Sequence, residues 1–250
     1  MHFSTRTLRT LCAGILALVP APATAQDLPD AKAVIARYVE AIHGDVVRRH
    51  ASMRTTGSFS LPAMGTTGQL EIMQARPNHM VMSVNLPGLG EIRSGFDGEV
   101  GWSMNPMEGP RLLTGKELVQ QSDDAAFESG LRDASLITSM ETIEQSVVED
   151  TPCYMLRIVW KSGRETMDCY AVDTGLLIAT TSRNETVMGT VEATMLYSDY
   201  REFDGFRMPT RTRQRVMNQE FVMTITSVEF GTVSKTAFEP PPEVRALLKN

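Results

Sequence analysis

The chain is poor in the residue patterns that mark chemistry. Four histidines are spread over 250 residues. None falls into a His-x-His or His-Glu-x-x-His spacing, so no metal site and no cofactor are expected. There is no Gly-x-Ser-x-Gly elbow and no glycine loop of the kind that cradles phosphates. Asp123-Asp124 and Glu149-Asp150 are adjacent acidic pairs, which read as a solvated face or a turn. Lysine and arginine do not cluster, which argues against nucleic acid as a partner. Low-complexity tracts, heptads and short repeats are also missing. What remains is a non-catalytic reading: no catalytic residue is assigned.

The N-terminal apolar run, Leu11 to Val19, has nine residues before Pro20. A membrane span needs roughly 20. Arg6 and Arg9 precede this run, and Ala23-Thr24-Ala25 follows it as a small-x-small exit. That order predicts a secretory signal, residues 1–25, cleaved after Ala25 and followed by one domain over 26–250. No transmembrane segment is expected after cleavage, and Cys12 sits too early for a lipobox. Removing the signal leaves 22 basic residues against 30 acidic ones, a net charge of −8. The expected address is the periplasm, and the expected state is a monomer.

Cleavage leaves two cysteines, Cys153 and Cys169, in a chain bound for an oxidising compartment. Residues 153–160 and 165–172 read as two strands joined by Lys161-Ser162-Gly163-Arg164. That turn brings the cysteines opposite one another to within one register step. A cross-strand disulfide follows, with two buried free thiols as the alternative.

Residues 30–43 predict a helix with Asp30 as N-cap, an apolar stripe of Val34, Ile35, Tyr38 and Ile42, and Gly44 as its stop. A second helical stretch runs from about Thr114 to Leu131, with Gly130 marking its end. Nearly everything else reads as strands separated by turns: 53–61, 69–75, 80–85, 91–96, 145–149, the cysteine hairpin, 177–183, 190–201, 208–216 and 221–230. Tight connections point to one large antiparallel sheet and not to βαβ units. Tyr154, Leu156, Ile158 and Trp160 share one strand face while Met155 and Val159 occupy the other. A sheet with one wet face would alternate more cleanly. Two helices cannot fill the inside of such a sheet, so it either closes around side chains or keeps an apolar cavity. Fifteen of the 16 methionines lie beyond the signal, and flexible thioethers suit surfaces that accept varied apolar partners.

A series of short segments carries a resemblance. It runs Ala41-Ile42-His43-Gly44, Gly57-Ser58-Phe59-Ser60, Arg76-Pro77, Phe96-Asp97-Gly98-Glu99-Val100-Gly101-Trp102 and Tyr170-Ala171-Val172-Asp173-Thr174-Gly175-Leu176. Asp199-Tyr200-Arg201, Asp204-Gly205-Phe206-Arg207-Met208-Pro209 and Phe238-Glu239-Pro240-Pro241 complete it. From about residue 30 to 242 the chain resembles the outer-membrane lipoprotein-sorting-like proteins of the LolA/LolB-like superfamily. The resemblance implies a mainly β (α+β) fold: an unclosed antiparallel β-barrel with the N-terminal and mid-chain helices over its concave side. It also implies a hydrophobic cavity for acyl chains and no catalytic residues.

Strand parity then nominates cavity-lining residues: Met80, Met82, Leu156, Ile158, Met223 and Ile225, with Trp102 and Met104 at a cavity rim. For Trp102, a core position under the second helix is an equal alternative. The expected function is a periplasmic carrier or binding protein for the acyl chain of a lipid or lipoprotein. The alternative is an interaction or sensor domain with a filled core that docks an envelope partner protein.

Overall fold

In the computed structural model, His2 and residues 27–186 and 189–249 are described. Apart from His2, the expected signal and its cleavage site lie outside them. Among the described residues, no helix is long and apolar enough to cross a membrane.

The chain opens with α1 (Ala31–Ala41), whose start follows the sequence: the Asp30 side chain accepts from Lys32 N and Ala33 N. Its end does not. His43 (φ 54°) takes the left-handed position, whereas Gly44 keeps an ordinary helical backbone and starts the short α2 (Asp45–Arg48). Gly44 is there for space, since a Cβ would stand 2.9 Å from Val39 Cγ1.

Thirteen strands follow in one antiparallel sheet. They are β1 (Ser52–Leu61), β2 (Thr66–Ala75), β3 (His79–Leu86), β4 (Gly90–Phe96), β5 (Gly101–Asn105), β6 (Gly109–Leu112) and β7 (Ile137–Val148). Then come β8 (Thr151–Trp160), β9 (Glu165–Ala171), β10 (Leu177–Thr186), β11 (Gly189–Phe203), β12 (Phe206–Val216) and β13 (Gln219–Phe230). The spatial order is β6-β5-β4-β3-β2-β1-β13-β12-β11-β10-β9-β8-β7. The first and last strands therefore pair in the middle, and β6 and β7 lie at the two edges without pairing to each other. The barrel is unclosed. The chain crosses from one edge to the other through α3 (Gly115–Ala125) and two 3-10 turns, and it ends in α4 (Pro242–Leu247).

The expected second helix is shorter than its reading: it stops at Ala125, and Gly130 falls inside a 3-10 turn, Ser129–Leu131. Residues 145–149 prove to be the end of a 12-residue strand. β5 and β6 were not expected at all.

The two sheet faces are covered differently. On the concave side α1 packs over β8–β10 and β12, where Val34, Ile35 and Tyr38 share a cluster with Leu156, Ile158, Trp160, Tyr170 and Phe206. Farther along the same side, Leu70, Val84, Leu86, Ile225 and Val228 form a second cluster. On the convex side the C-terminal segment covers the other arm of the sheet, with Phe238 and Val244 against Val81 and Trp102. The two arms of the sheet thus have different covers, α1 inside one and the C-terminal tail outside the other.

Two glycines set the close approach of strands. A Cβ on Gly57 would stand 2.0 Å from Thr224 O, beside the register shift between β1 and β13, and one on Gly68 would stand 2.0 Å from Asn85 O. The β8–β9 hairpin carries the disulfide between Cys153 and Cys169. Its register differs from the expected one: Cys169 faces Met155 and Cys153 faces Ala171, so the bridge is diagonal. An offset of two residues keeps both side chains on one face, where they pack with Ala179 and Leu196.

Candidate functional site

α1 fills only half of the concave side. Beside it a hollow of about 340 Å³ remains between β1, β3, β4, β8–β13 and α3. Its apolar wall is Phe59, Met80, Met82, Met195, Tyr197, Met223 and Trp160. These side chains arrive by strand alternation. Met80 and Met82 project inward while Val81 between them packs outward against Phe238 and Val244. Phe59 and Met223 are direct cross-strand partners, and Met195 faces Gln214 on the neighbouring pair. The size lies at the small end of the 300–1,000 Å³ typical of ligand pockets.

A smaller hollow of about 230 Å³ lies next to it, beneath α1 and α2, lined by Tyr38, Met53, Phe127, Tyr200, Phe206 and Met208 among others. Ser129, Arg132 and Tyr197 line both, so these three side chains form the partition. On the other side, Gln120, Arg164 and Ser182 are shared with a wider opening of about 570 Å³. The interior is therefore a mouth, a middle chamber and a back chamber in series.

The partition is ionic. Arg132 Nε donates to Asp168 Oδ2 at 2.6 Å, with side chains only 10% and 0% exposed. Tyr170 OH donates to the same oxygen at 3.0 Å, and Arg132 also reaches Ser129 O and Thr180 Oγ1. Burial alone would lower the Arg132 pKa, but the charge of Asp168 and the phenol of Tyr170 outweigh it and hold the guanidinium well above its usual value. Burial pushes the Tyr38 phenol up to about 12, and the Tyr170, Tyr197 and Tyr200 phenols are raised for the same first reason. A fixed cation and four neutral phenols thus surround the partition.

The mouth is ionic as well. Arg164 Nη1 donates to Asp124 Oδ1 at 2.8 Å, and its Nε lies 3.3 Å from Asp123 Oδ2. Ser162 Oγ donates to Asp123 Oδ2. The acidic pair read as a solvated face is instead the strap that ties α3 to the β8–β9 turn. At its other end α3 is held by the two-pronged Arg111–Glu117 pair. Trp160 lies between the two guanidiniums, with Arg132 5.6 Å and Arg164 5.2 Å from its ring centre.

The residues nominated from strand parity separate into three groups. Met80, Met82 and Met223 line the middle chamber. Leu156 and Ile158, both fully buried, are packed in the cluster beneath α1, and Ile225 sits in the neighbouring cluster. Trp102 and Met104 correct the parity reading: they lie on the convex side, with Trp102 at 0% exposure. The side chain that meets α3 at this point is its neighbour's vacancy. Gly101 gives way to Leu118, 2.7 Å from where a Cβ would be, and Trp102 points the opposite way over Gly95. The parity of β5 was invisible because the strand itself was not foreseen.

Phe59, Met195, Tyr197, Trp160, Arg132, Arg164, Asp124 and Gln121 also line the chamber and were not nominated. One signal was present for the ionic partner. Asp168 has the same parity as Thr166 and Tyr170 in a strand whose ends are fixed by the hairpin, and a carboxylate in mid-strand needs a buried partner. The histidines stay apart: His43 Nδ1 meets Gly205 O, His50 stacks on Phe230, and His79 meets the edge of Phe238. Among the described residues no group of His, Cys, Asp and Glu is arranged to hold a metal.

The chain has a LolA-like fold. A DUF1329 family protein from Desulfovibrio piger superposes with a TM-score of 0.57 at 15% identity, over 85% of this chain and 98% of the other. A LolA superfamily protein from Nitrosomonas europaea superposes with a TM-score of 0.56 at 12% identity, over 85% of this chain and 99% of the other. No family model and no curated protein matches the sequence. At these identities the likeness is one of fold.

Proposed function

We propose that this protein is a non-enzymatic carrier of the cell envelope that holds the acyl chain of a lipid or lipoprotein in the middle chamber. One observation carries the reading: a hollow with a methionine-rich apolar wall opposite a polar one is left open on the concave side although α1 fills the adjoining half of the same face. Empty apolar space costs packing energy unless something occupies it. Three flexible thioethers from β3 and β13, with a fourth from β11, can adjust to chains of different length. A periplasmic location, reached through the expected signal, is part of the proposal.

The alternative reading, a domain that docks a partner protein, calls for a filled interior, and the hollow weighs against it. The two are separated by native mass spectrometry of the protein purified from its own envelope, followed by lipid extraction. An added mass that releases as acylated lipid or lipopeptide supports the carrier. A clean apo mass, with no uptake of added lipopeptide or fatty acid, rejects it.

A further inference from the structure

The polar half of the middle chamber has a charge and donor pattern that discriminates between kinds of amphiphile. Two guanidiniums, Arg132 and Arg164, are each already met by carboxylates: Asp168 for the first, Asp123 and Asp124 for the second. No positive charge on the chamber wall is left over for an anion. To bind one, the site would have to break a buried pair, and an unpaired buried charge is costly. Gln121 Nε2 on α3, a donor, is buried without a hydrogen bond, and Gln121 lines the chamber. A buried donor left unpaired is a cost that an acceptor on a ligand removes. A cationic head brings only further donors, so it leaves this amide unsatisfied.

We infer that the chamber recognises the uncharged, carbonyl-bearing head of an acyl ester, with Gln121 as the donor to its carbonyl and the methionine wall as the seat of its chain. This assignment rests on the carrier reading and narrows it. Free fatty acids and alkylammonium amphiphiles share the chain but lack the ester carbonyl, and anionic phospholipids carry it beside a charged phosphate. The shared chemistry of glycerides and of diacylglyceryl-modified proteins, an ester carbonyl next to an acyl chain, is what the wall complements. Gln121 sits on the helix that Asp123 and Asp124 tie to Arg164.

The test uses ligand-free protein and three amphiphiles with one chain length: monolauroylglycerol, laurate and dodecylammonium, titrated by calorimetry. Monolauroylglycerol is expected to bind at least tenfold more tightly than either charged probe. Gln121→Met, which keeps the size and the helix preference, is expected to weaken it by about two- to tenfold, the range of one hydrogen bond. Gln121→Glu, which replaces the amide donor by an acceptor, lowers ester binding further. Laurate or dodecylammonium binding as tightly as the ester, or a Gln121→Met variant that binds the ester normally, overturns the assignment while leaving the carrier reading in place. Failure of all three chains to bind takes down the carrier reading itself. If the ester binds, competition between a diacylated lipopeptide and a diacylglycerol shows which source of that head is preferred.

Discussion

Replacing Asp168 by alanine isolates what the partition between the two chambers contributes. The carboxylate is 0% exposed and accepts from both Arg132 Nε and Tyr170 OH, while the Arg132 side chain is 10% exposed. Removing the acid strands a guanidinium whose pKa already stands well above its usual value and which cannot escape by losing its proton. Breaking a buried pair from one side costs about 3–5 kcal/mol. For a domain of this size each kcal/mol moves the melting temperature by about 2–4 °C, so the fall is roughly 6–20 °C. Replacing both partners by apolar residues, Asp168→Leu with Arg132→Met, removes the stranded charge, and such swaps are often neutral or stabilising. The double variant still leaves the buried Tyr170 hydroxyl without its acceptor, so it is expected about 1–3 kcal/mol below the parent and above the single variant. Urea unfolding followed by far-UV circular dichroism, with the disulfide intact, measures all three proteins on one scale. An Asp168→Ala variant that loses less than about 1 kcal/mol, or a double variant as weak as the single one, refutes the reasoning. The ion pair would then be neither buried nor coupled in the way its distances indicate.

Other expectations follow from separate parts of the fold. The Gly57→Ala methyl has backbone, not a side chain, 2.0 Å away, so overpacking should cost at least 1–3 kcal/mol, read as a lower urea midpoint. Replacing Cys153 and Cys169 together by serine opens a loop with a sequence separation of 16 and should cost about 3 kcal/mol, seen by differential scanning calorimetry. In alkali, Tyr38 titrates at about 12 in the fold and at 10 when unfolded, so the folded state holds its proton longer. Stability contributed by neutral Tyr38 is present below pH 10 and lost as pH rises from 10 through about 12. Tyrosinate absorbance at alkaline pH should therefore appear together with loss of circular dichroism, and full ionisation with the fold intact would contradict the burial of these phenols.

The parts of this architecture that were legible in the sequence are those where local chemistry and tertiary contact agree. Asp30 caps α1, the four apolar residues of its stripe face the sheet, and the Ser162-Gly163 turn joins the cysteine strands. β7 was largely missed because it is an edge strand: Thr138, Ser139, Glu141 and Ile143 are exposed, and no apolar alternation survives there. β5 and β6 are only five and four residues long and include Pro110, so their pairing depends on the neighbour strand more than on propensity. The C-terminal cover was also missed, and this accounts for Trp102. Its strand neighbours gave no hint that a tail returns to Val81 and seals the convex side with Phe238 and Val244.

The methionines of the chamber were legible through alternation, because β3 and β13 are regular strands with one clear inward face. Its charges were not. Arg132 lies 36 residues from Asp168 and Arg164 lies 40 from Asp124, and neither pairing has a local pattern. Arg132 also sits in the left-handed region at φ 54°, held there by the turn that ends at Leu131. A polar-looking loop thus delivers the most buried cation of the site, which only the closed fold explains.

The two tryptophans give the most direct test of an acyl chain in the middle chamber. Trp160 lines it, and Trp102 is sealed on the opposite face of the sheet. Fluorescence is recorded on Trp102→Phe and Trp160→Phe variants during titration with an acyl ester brominated along its chain. The account predicts saturable quenching of Trp160 in the first variant and an unquenched Trp102 in the second. Quenching of Trp102 alone, or saturable binding that dims neither ring, would place the chain elsewhere and contradict the carrier reading of this hollow.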